Sequence, residues 1–152
     1  MNFKAIILAA GKGTRMKSKN PKVVHKVCGK EMVNHVIDIS NKSGVNDVVV
    51  ILGHGSETVK NVIPEDAIVV MQTEQLGTGH AVKMAKDTIN DDDIIVVLCG
   101  DTPLIEEETL KKLFDYHLEN EYMATVLTTK VDDPTGYGRV IRDSEGNFAR
   151  IV

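Results

Sequence analysis

An apolar run from Phe3 to Ala10, interrupted only by Lys4, breaks off abruptly into Gly11-Lys12-Gly13-Thr14-Arg15-Met16. Few folds accept such an opening. The run has the length and β-branched content of a strand buried on both faces. Gly11 and Gly13 remove side chains where the backbone turns sharply and where a large ligand could lie against it. Successive backbone N–H groups in a turn of this kind form a concavity for anions, beside which Lys12 and Arg15 add positive charge. Asn20-Pro21-Lys22 supplies a stiff turn and a further cation. The pattern is not a P-loop, because no glycine is followed directly by Lys and then Ser or Thr. It is half of a dinucleotide fingerprint, since Met16 stands where the third glycine would be. Two readings stay open: a phosphate cradle, or an ordinary strand-to-helix turn with surface cations. Three cations in one short glycine-rich segment favour the cradle.

The same alternation continues along the chain. Val23 to Val27 reads as a short extended piece. Glu31 to Lys42 carries the apolar stripe of an amphipathic helix, with Gly44 placed to close it in a left-handed conformation. Asp47 to Leu52 is apolar enough for a strand covered on both faces. Ser56 is placed to cap a helix through Val62-Ile63, ended by Pro64. Ala67 to Met71 is a third strand, Gly79 to Ile89 a helix, and Ile94 to Leu98 a fourth strand. Glu106, Glu107 and Glu108 crowd the start of a helix whose buried face is Leu110, Leu113, Phe114, His117 and Leu118. Ala124 to Lys130 reads as a strand with interleaved Thr, and Arg139 to Arg142 pairs with Phe148 to Val152 across a turn at Asp143 to Asn147. Strands alternating with helices imply an α/β fold, a mostly parallel sheet with helices on both faces. In such sheets ligands collect at the carboxyl ends of strands, near a switch in strand order. That brings together the Leu8 to Arg15 loop, the Gln72 to Thr78 loop, Cys99-Gly100-Asp101 and Gly136-Tyr137-Gly138.

Composition narrows the function. A chain of 152 residues fits one domain and can bury a core without disulfide or metal staples. A net charge of −4 and a pI near 5.7 argue against nucleic acid as the partner. Aromatic residues are 4% of the chain with no Trp, so base-stacking platforms are poorly supplied. Cys28 and Cys99 make neither a disulfide framework nor a metal motif, which places the chain in a reducing cytoplasm. No run is long enough to span a membrane, and no signal peptide is expected. The chain stops at Ile151-Val152 inside a strand pattern, from which a partial domain is expected.

Asp101 is the residue most suited to chemistry. A carboxylate after a buried strand can hold Mg²⁺ bridged to substrate phosphates, since Mg²⁺ takes one or two protein carboxylates and leaves its other places to water and phosphate. Asp101 could equally cap the following helix. Gln72 carries a carboxamide that donates and accepts, as reading a nucleobase edge requires; a loop Gln is also commonly just solvated. The five His show no metal spacing, and His35 and His117 read as partly buried packing residues. Neither Cys has a thiolate-stabilising partner in sequence.

Leu8-Ala9-Ala10-Gly11-Lys12-Gly13-Thr14-Arg15-Met16, followed by Pro21-Lys22, resembles the signature of sugar-phosphate nucleotidyltransferases. Gln72-Thr73-Glu74-Gln75-Leu76-Gly77-Thr78-Gly79-His80-Ala81, Gly100-Asp101-Thr102-Pro103-Leu104-Ile105 and Asp133-Pro134-Thr135-Gly136-Tyr137-Gly138-Arg139 resemble the N-acetylglucosamine-1-phosphate uridyltransferases within it. The resemblance runs from Phe3 to Val152. It implies a Rossmann-like nucleotidyltransferase fold and a reaction of UTP with N-acetylglucosamine 1-phosphate. The products would be UDP-N-acetylglucosamine, a cell-wall precursor, and pyrophosphate. By that likeness Arg15 would grip the triphosphate and Lys22 would stabilise charge on the reacting phosphates. Asp101 would bind Mg²⁺ near the ribose, with Cys99 and Gly100 beside it. The Leu8, Ala9, Ala10 and Gly11 backbone would enclose the uridine together with Gln72, Gly77 and Thr78, and Gly138 would offer its backbone to the sugar. In the family a sugar-contacting Glu follows the Ile-Val step. Asn residues complete the sugar pocket and the metal site, and a left-handed β-helix carries an acetyltransferase and builds a homotrimer. None of these lies within the 152 residues, so residues 1–152 are expected to be a partial uridyltransferase domain that binds nucleotide. A transferase for another base or sugar, and a non-catalytic nucleotide-binding remnant, are the alternatives.

Overall fold

The computed structural model describes residues 2–11, 13 and 16–152. The expectations placed on Lys12 and Arg15 lie outside those residues. The chain divides into two compact units, Met1–Glu121 and Tyr122–Val152.

In the first unit the opening run is β1 (Asn2–Ala9), followed by a small hairpin of β2 (Lys26–Val27) and β3 (Lys30–Glu31). Then come α1 (Met32–Lys42), β4 (Asp47–Leu52), α2 (Ser56–Lys60), β5 (Ile68–Met71), α3 (Thr78–Met84), β6 (Asp93–Cys99) and α4 (Glu107–Glu119). The main sheet has the order β5-β4-β1-β6, and every pairing in it is parallel. From β1 the chain steps outward to β4 and β5, then returns to place β6 on the other flank of β1. The order therefore switches at β1, where ligands of open parallel sheets bind.

Because side chains alternate across a strand, β1 feeds two cores. Ala5, Ile7 and Ala9 join Val33, Val36 and Ile37 of α1, Val59 of α2, and Leu110 and Phe114 of α4. Ile6 and Ala10 join Val49 and Ile51 of β4 with Ala81 and Ala85 on the other face. Helices thus cover both faces, as the alternation predicts. Ile6, Ile7, Ile51, Leu52 and Leu110 are fully buried, each contributing about 1.5–3 kcal/mol against an exposed reference. The rings of Phe3 and Phe114 stack with centroids 4.8 Å apart, tying the first strand to the last helix of the unit.

Several boundaries differ from the sequence reading. Lys22–Val24 is a 3-10 turn rather than extended, and only Lys26–Val27 forms strand, because Cys28 (φ 51°) and Gly29 (φ 84°) make a tight hairpin loop. Gly55 at φ 69° takes the cap position expected of Ser56, which becomes the first residue of α2, and the helix ends at Lys60. A Cβ at Gly55 would lie 2.6 Å from Pro21 Cγ, so a side chain there would collide with the chain that leads from β1 to Lys22. The helix expected over residues 79–89 gives way at Ala85 to a 3-10 turn, Lys86–Thr88. There the Thr88 hydroxyl donates to the Ala85 carbonyl at 2.7 Å.

In the second unit β7 (Val140–Arg142) pairs antiparallel with β8 (Phe148–Ile151). Asp143 Oδ1 closes their turn by accepting from the N–H groups of Glu145 (3.0 Å) and Asn147 (2.8 Å). Ala124 to Lys130 is not a strand. Its Thr alternation suits a pleated surface, but a strand exists only within a sheet, and this segment joins none of the sheets among the described residues.

Candidate functional site

The carboxyl ends of β1 and β6 open into a cavity of about 630 Å³. Leu8 and Cys99, register partners across β1 and β6, both line it. Ala10, Gly11 and Gly13 come from the loop after β1, and Lys22 from the 3-10 turn beyond it. The segment after β5 contributes Gln72, Gln75, Gly77 and Thr78, and Asp101 follows β6. The structure therefore brings together three of the four segments that the sequence placed at one sheet end. Ala9 and Gly100 are not among the lining residues. The Ala9 side chain belongs to the core on the α1 face, and Gly100 packs beneath, its N–H donating to the Leu8 carbonyl at 3.0 Å. A Cβ on Gly100 would stand 3.1 Å from that carbonyl oxygen and 3.2 Å from Val23. Gly138 belongs to the second unit, where an added Cβ would meet Ile151 at 3.2 Å.

Lys22 and Asp101 form the charged centre of the cavity. Lys22 Nζ lies 2.7 Å from Asp101 Oδ2, and the side chains are 37% and 34% exposed, open enough to meet a ligand. Asp101 does not cap the next helix, because α4 begins at Glu107 with Glu106 as its cap residue. The glycine loop sets the position of the lysine. Gly13 has φ 59°, and a Cβ on it would lie 2.8 Å from Lys22 Cβ, so only glycine lets the loop lie this close.

Gln72 is 5% exposed. Its Nε2 donates to the Gly77 carbonyl at 3.1 Å and lies 3.0 Å from His80 Nδ1. Gln75 Nε2 donates to the Ala10 carbonyl at 2.7 Å, joining the segment after β5 to the loop after β1. Gly53 completes that junction, since a Cβ there would lie 2.9 Å from both the Cβ and the carbonyl oxygen of Ala10. Sequence reasoning passed over Gln75, His80 and Gly53, although the first two lie inside the Gln72 to Ala81 motif.

Chemically the cavity offers a cation, a carboxylate, glycine backbone and carboxamides. Desolvation raises the pKa of the Cys99 thiol, and the charge of Asp101 adds to this while Lys22 opposes it. Cys99 is thus held in its unreactive thiol form. No group of three or more His, Cys, Asp or Glu side chains suited to a metal occurs among the described residues. Asp101 is consequently suited to a divalent ion only of the kind that phosphates and water complete. Such a set positions and neutralises phosphates rather than performing acid–base or nucleophilic chemistry.

Solved structures share the fold. The UDP-glucose pyrophosphorylase from Acinetobacter baumanii superposes with a TM-score of 0.67 at 20% identity, covering 80% of this chain and 54% of that one. Rv0371c from Mycobacterium tuberculosis H37Rv gives 0.66 at 20% identity, covering 76% and 59%. In sequence, the whole chain is 74% identical to the bifunctional protein GlmU of Clostridioides difficile (strain 630) and 55% identical to that of Alkaliphilus metalliredigens (strain QYMF). It spans 33% of the length of each of these relatives. Residues 5–146 match the model of the MobA-like NTP transferase domain. With nearly its whole length matched, and with a cation, a carboxylate and a glycine loop at the switch point of a parallel sheet, the chain belongs to the MobA-like NTP transferase domain family.

Proposed function

We propose that the chain is the nucleotide-binding part of an enzyme that transfers uridylyl from UTP to N-acetylglucosamine 1-phosphate, releasing pyrophosphate. The observation that carries this reading is the Lys22–Asp101 pair at 2.7 Å, set among the glycine loop and Gln72 in one cavity. In the reaction an oxygen of the sugar phosphate attacks the α-phosphorus of UTP in line. The bond from that phosphorus to the β-bridging oxygen breaks, and pyrophosphate leaves with the electron pair. Lys22 neutralises charge on the reacting phosphates, and Arg15 grips the triphosphate. The Leu8 to Gly11 backbone, with Gln72, Gly77 and Thr78, encloses the uridine, and Gly138 meets the sugar. Asp101 would hold Mg²⁺, which supplies charge neutralisation across the phosphates when bound.

Residues 1–152 on this reading are part of a uridyltransferase domain of a cytoplasmic enzyme of cell-wall precursor synthesis. The residues that complete its sugar pocket, its second metal ligand and its trimer-forming β-helix are not among these 152 residues. Calorimetric titration of the four nucleoside triphosphates with Mg²⁺ tests the nucleotide reading. UTP is expected to bind best, and preference for another nucleotide would overturn the assignment. Arg15→Ala is expected to weaken UTP far more than Lys12→Ala.

A further inference from the structure

The charges of the chain are segregated along its length. Residues 1–30 hold eight Lys and Arg and not one Asp or Glu. Residues 31–152 hold the other ten cations and all 22 carboxylates. Most of the described cations in the basic stretch are already matched. Lys4 lies beside Asp93 and Asp47, Lys22 beside Asp101, Lys26 beside Glu31 and Lys30 beside Asp38. Lys17 and Lys19 remain. Both are exposed, and among the described residues neither forms an ion pair. They stand between Met16 and Lys22, which both line the cavity. Lys17 adjoins Met16, and Lys19 is three residues from either. Three residues span at most about 11 Å, close to the Debye length at about 0.1 M salt. The turn that displays them is tied, since Met16 N–H donates to the Gly13 carbonyl at 2.9 Å and Asn20 N–H to Ser18 Oγ at 3.1 Å.

A nucleoside triphosphate is a polyanion, and a protein of net charge −4 repels it at a distance. Soluble surfaces ordinarily mix both signs of charge, and a field of one sign beside a cleft is the arrangement that draws in an oppositely charged ligand. We propose that Lys17 and Lys19 form a capture surface beside the cavity, which draws a nucleoside triphosphate in by charge without touching it once bound. This rests on the reading of the cavity as a nucleotide site and adds an arrival step to it. Recognition stays with the residues that line the cavity. The two lysines set how fast a polyphosphate arrives, whatever its base. Their effect falls on association rather than dissociation, and it fades as salt screens the field.

Stopped-flow association of fluorescently labelled UTP with the 152-residue chain tests this at ionic strengths from about 0.01 M to about 1 M, over which the Debye length shrinks from about 30 Å to about 3 Å. Lys17 has φ 50°, a left-handed conformation that Asn adopts more readily than most residues, so Lys17→Asn with Lys19→Gln removes both charges and keeps the turn. This double variant should associate about three- to tenfold more slowly than wild type at the low end. It should match wild type at the high end and dissociate at the wild-type rate throughout. Lys42→Gln with Lys86→Gln takes equal charge from exposed lysines on the segments that lead into β4 and β6, at the amino ends of the strands. That control should associate like wild type. Equal association of wild type and the Lys17, Lys19 variant at low salt would overturn the proposal. So would an equal slowing in the control, which would assign the effect to net charge, or faster dissociation of the variant, which would assign it to direct contact. The same measurement with labelled ATP, CTP and GTP separates the two readings. Tighter binding of one of these would sink uridylyl transfer and leave the capture surface standing, and a wild type that binds none of the four would sink both.

Discussion

Lys22 Nζ and Asp101 Oδ2 lie 2.7 Å apart although they stand 79 positions apart in sequence. Each group is thereby the other's counter-charge in the free protein, at the point where phosphates and a divalent ion are proposed to arrive. On that proposal the lysine turns from the carboxylate to the phosphates as nucleotide binds, and the carboxylate is freed for metal. Lys22→Met should therefore weaken UTP by about tenfold or more, the scale of a lost charge-assisted hydrogen bond. The same variant should tighten Mn²⁺ in the absence of nucleotide, because Asp101 loses its competing cation. Calorimetry reads the first effect and electron paramagnetic resonance of free Mn²⁺ the second. Equal Mn²⁺ affinity in both proteins would show that the pair does not compete with metal.

Gly13 governs the same lysine from the backbone side. Its φ of 59° disfavours any residue with a Cβ, and that Cβ would lie 2.8 Å from Lys22 Cβ. Gly13→Ala should cost about 1–2 kcal/mol from the left-handed conformation alone, read as a lower midpoint in urea. It should also weaken UTP by displacing Lys22. Wild-type affinity in a destabilised Gly13→Ala protein would mean that the loop and the lysine are not coupled.

Much of this arrangement was legible in the residues, and the reasons for the rest are physical. The apolar runs ending in glycine or Asp specified β1, β4 and β6, since parallel strands must be buried and must turn where the run ends. Local pattern could not say which segments find partners. Ala124 to Lys130 has strand chemistry yet joins no sheet among the described residues, and Ile94 to Leu98 is apolar throughout although Ile95 and Val97 are 38% and 45% exposed. At the site, charge and glycine pointed to Lys22 and Asp101. The contacts of Gln75 and Gly53 depend on close approaches between segments distant in sequence. Neither is written in spacing.

Gln75 shows how such a contact can matter. Its Nε2 bond to the Ala10 carbonyl, 2.7 Å long, spans 65 positions and joins two segments that line the cavity. Gln75→Ala should cost about 1 kcal/mol of stability, the net worth of a typical hydrogen bond, and should weaken UTP by loosening the Ala10 backbone. Gln75→Glu cannot donate while ionised and should behave like the alanine variant. A fully stable Gln75→Glu protein with wild-type affinity for UTP would show that the bond does not hold the loop.

The far end of the sheet carries a second polar cluster, where Lys4 looked like a mere interruption of an apolar run. Lys4 is 4% exposed, and its ammonium lies 3.1 Å from Asp93, 3.5 Å from Asp47 and 2.5 Å from the Thr88 carbonyl. Asn2 Nδ2 donates to Asp93 at 3.1 Å. The Asp93 carboxyl is lowered to about 2, first by the backbone N–H of Asn90, then by Asn2 and Lys4. A carboxyl that holds its proton less tightly when folded than when unfolded stabilises the fold above its unfolded pKa. That contribution is complete above about pH 4 and disappears as the pH falls toward about 2. Asp93→Asn removes it at every pH, so the variant should be less stable than wild type near neutrality. The gap should shrink between about pH 4 and pH 2, where the wild-type carboxylate itself becomes protonated. Urea midpoints measured across that range read the difference directly, and a gap that stays constant with pH would show that the Asp93 charge contributes nothing to the fold.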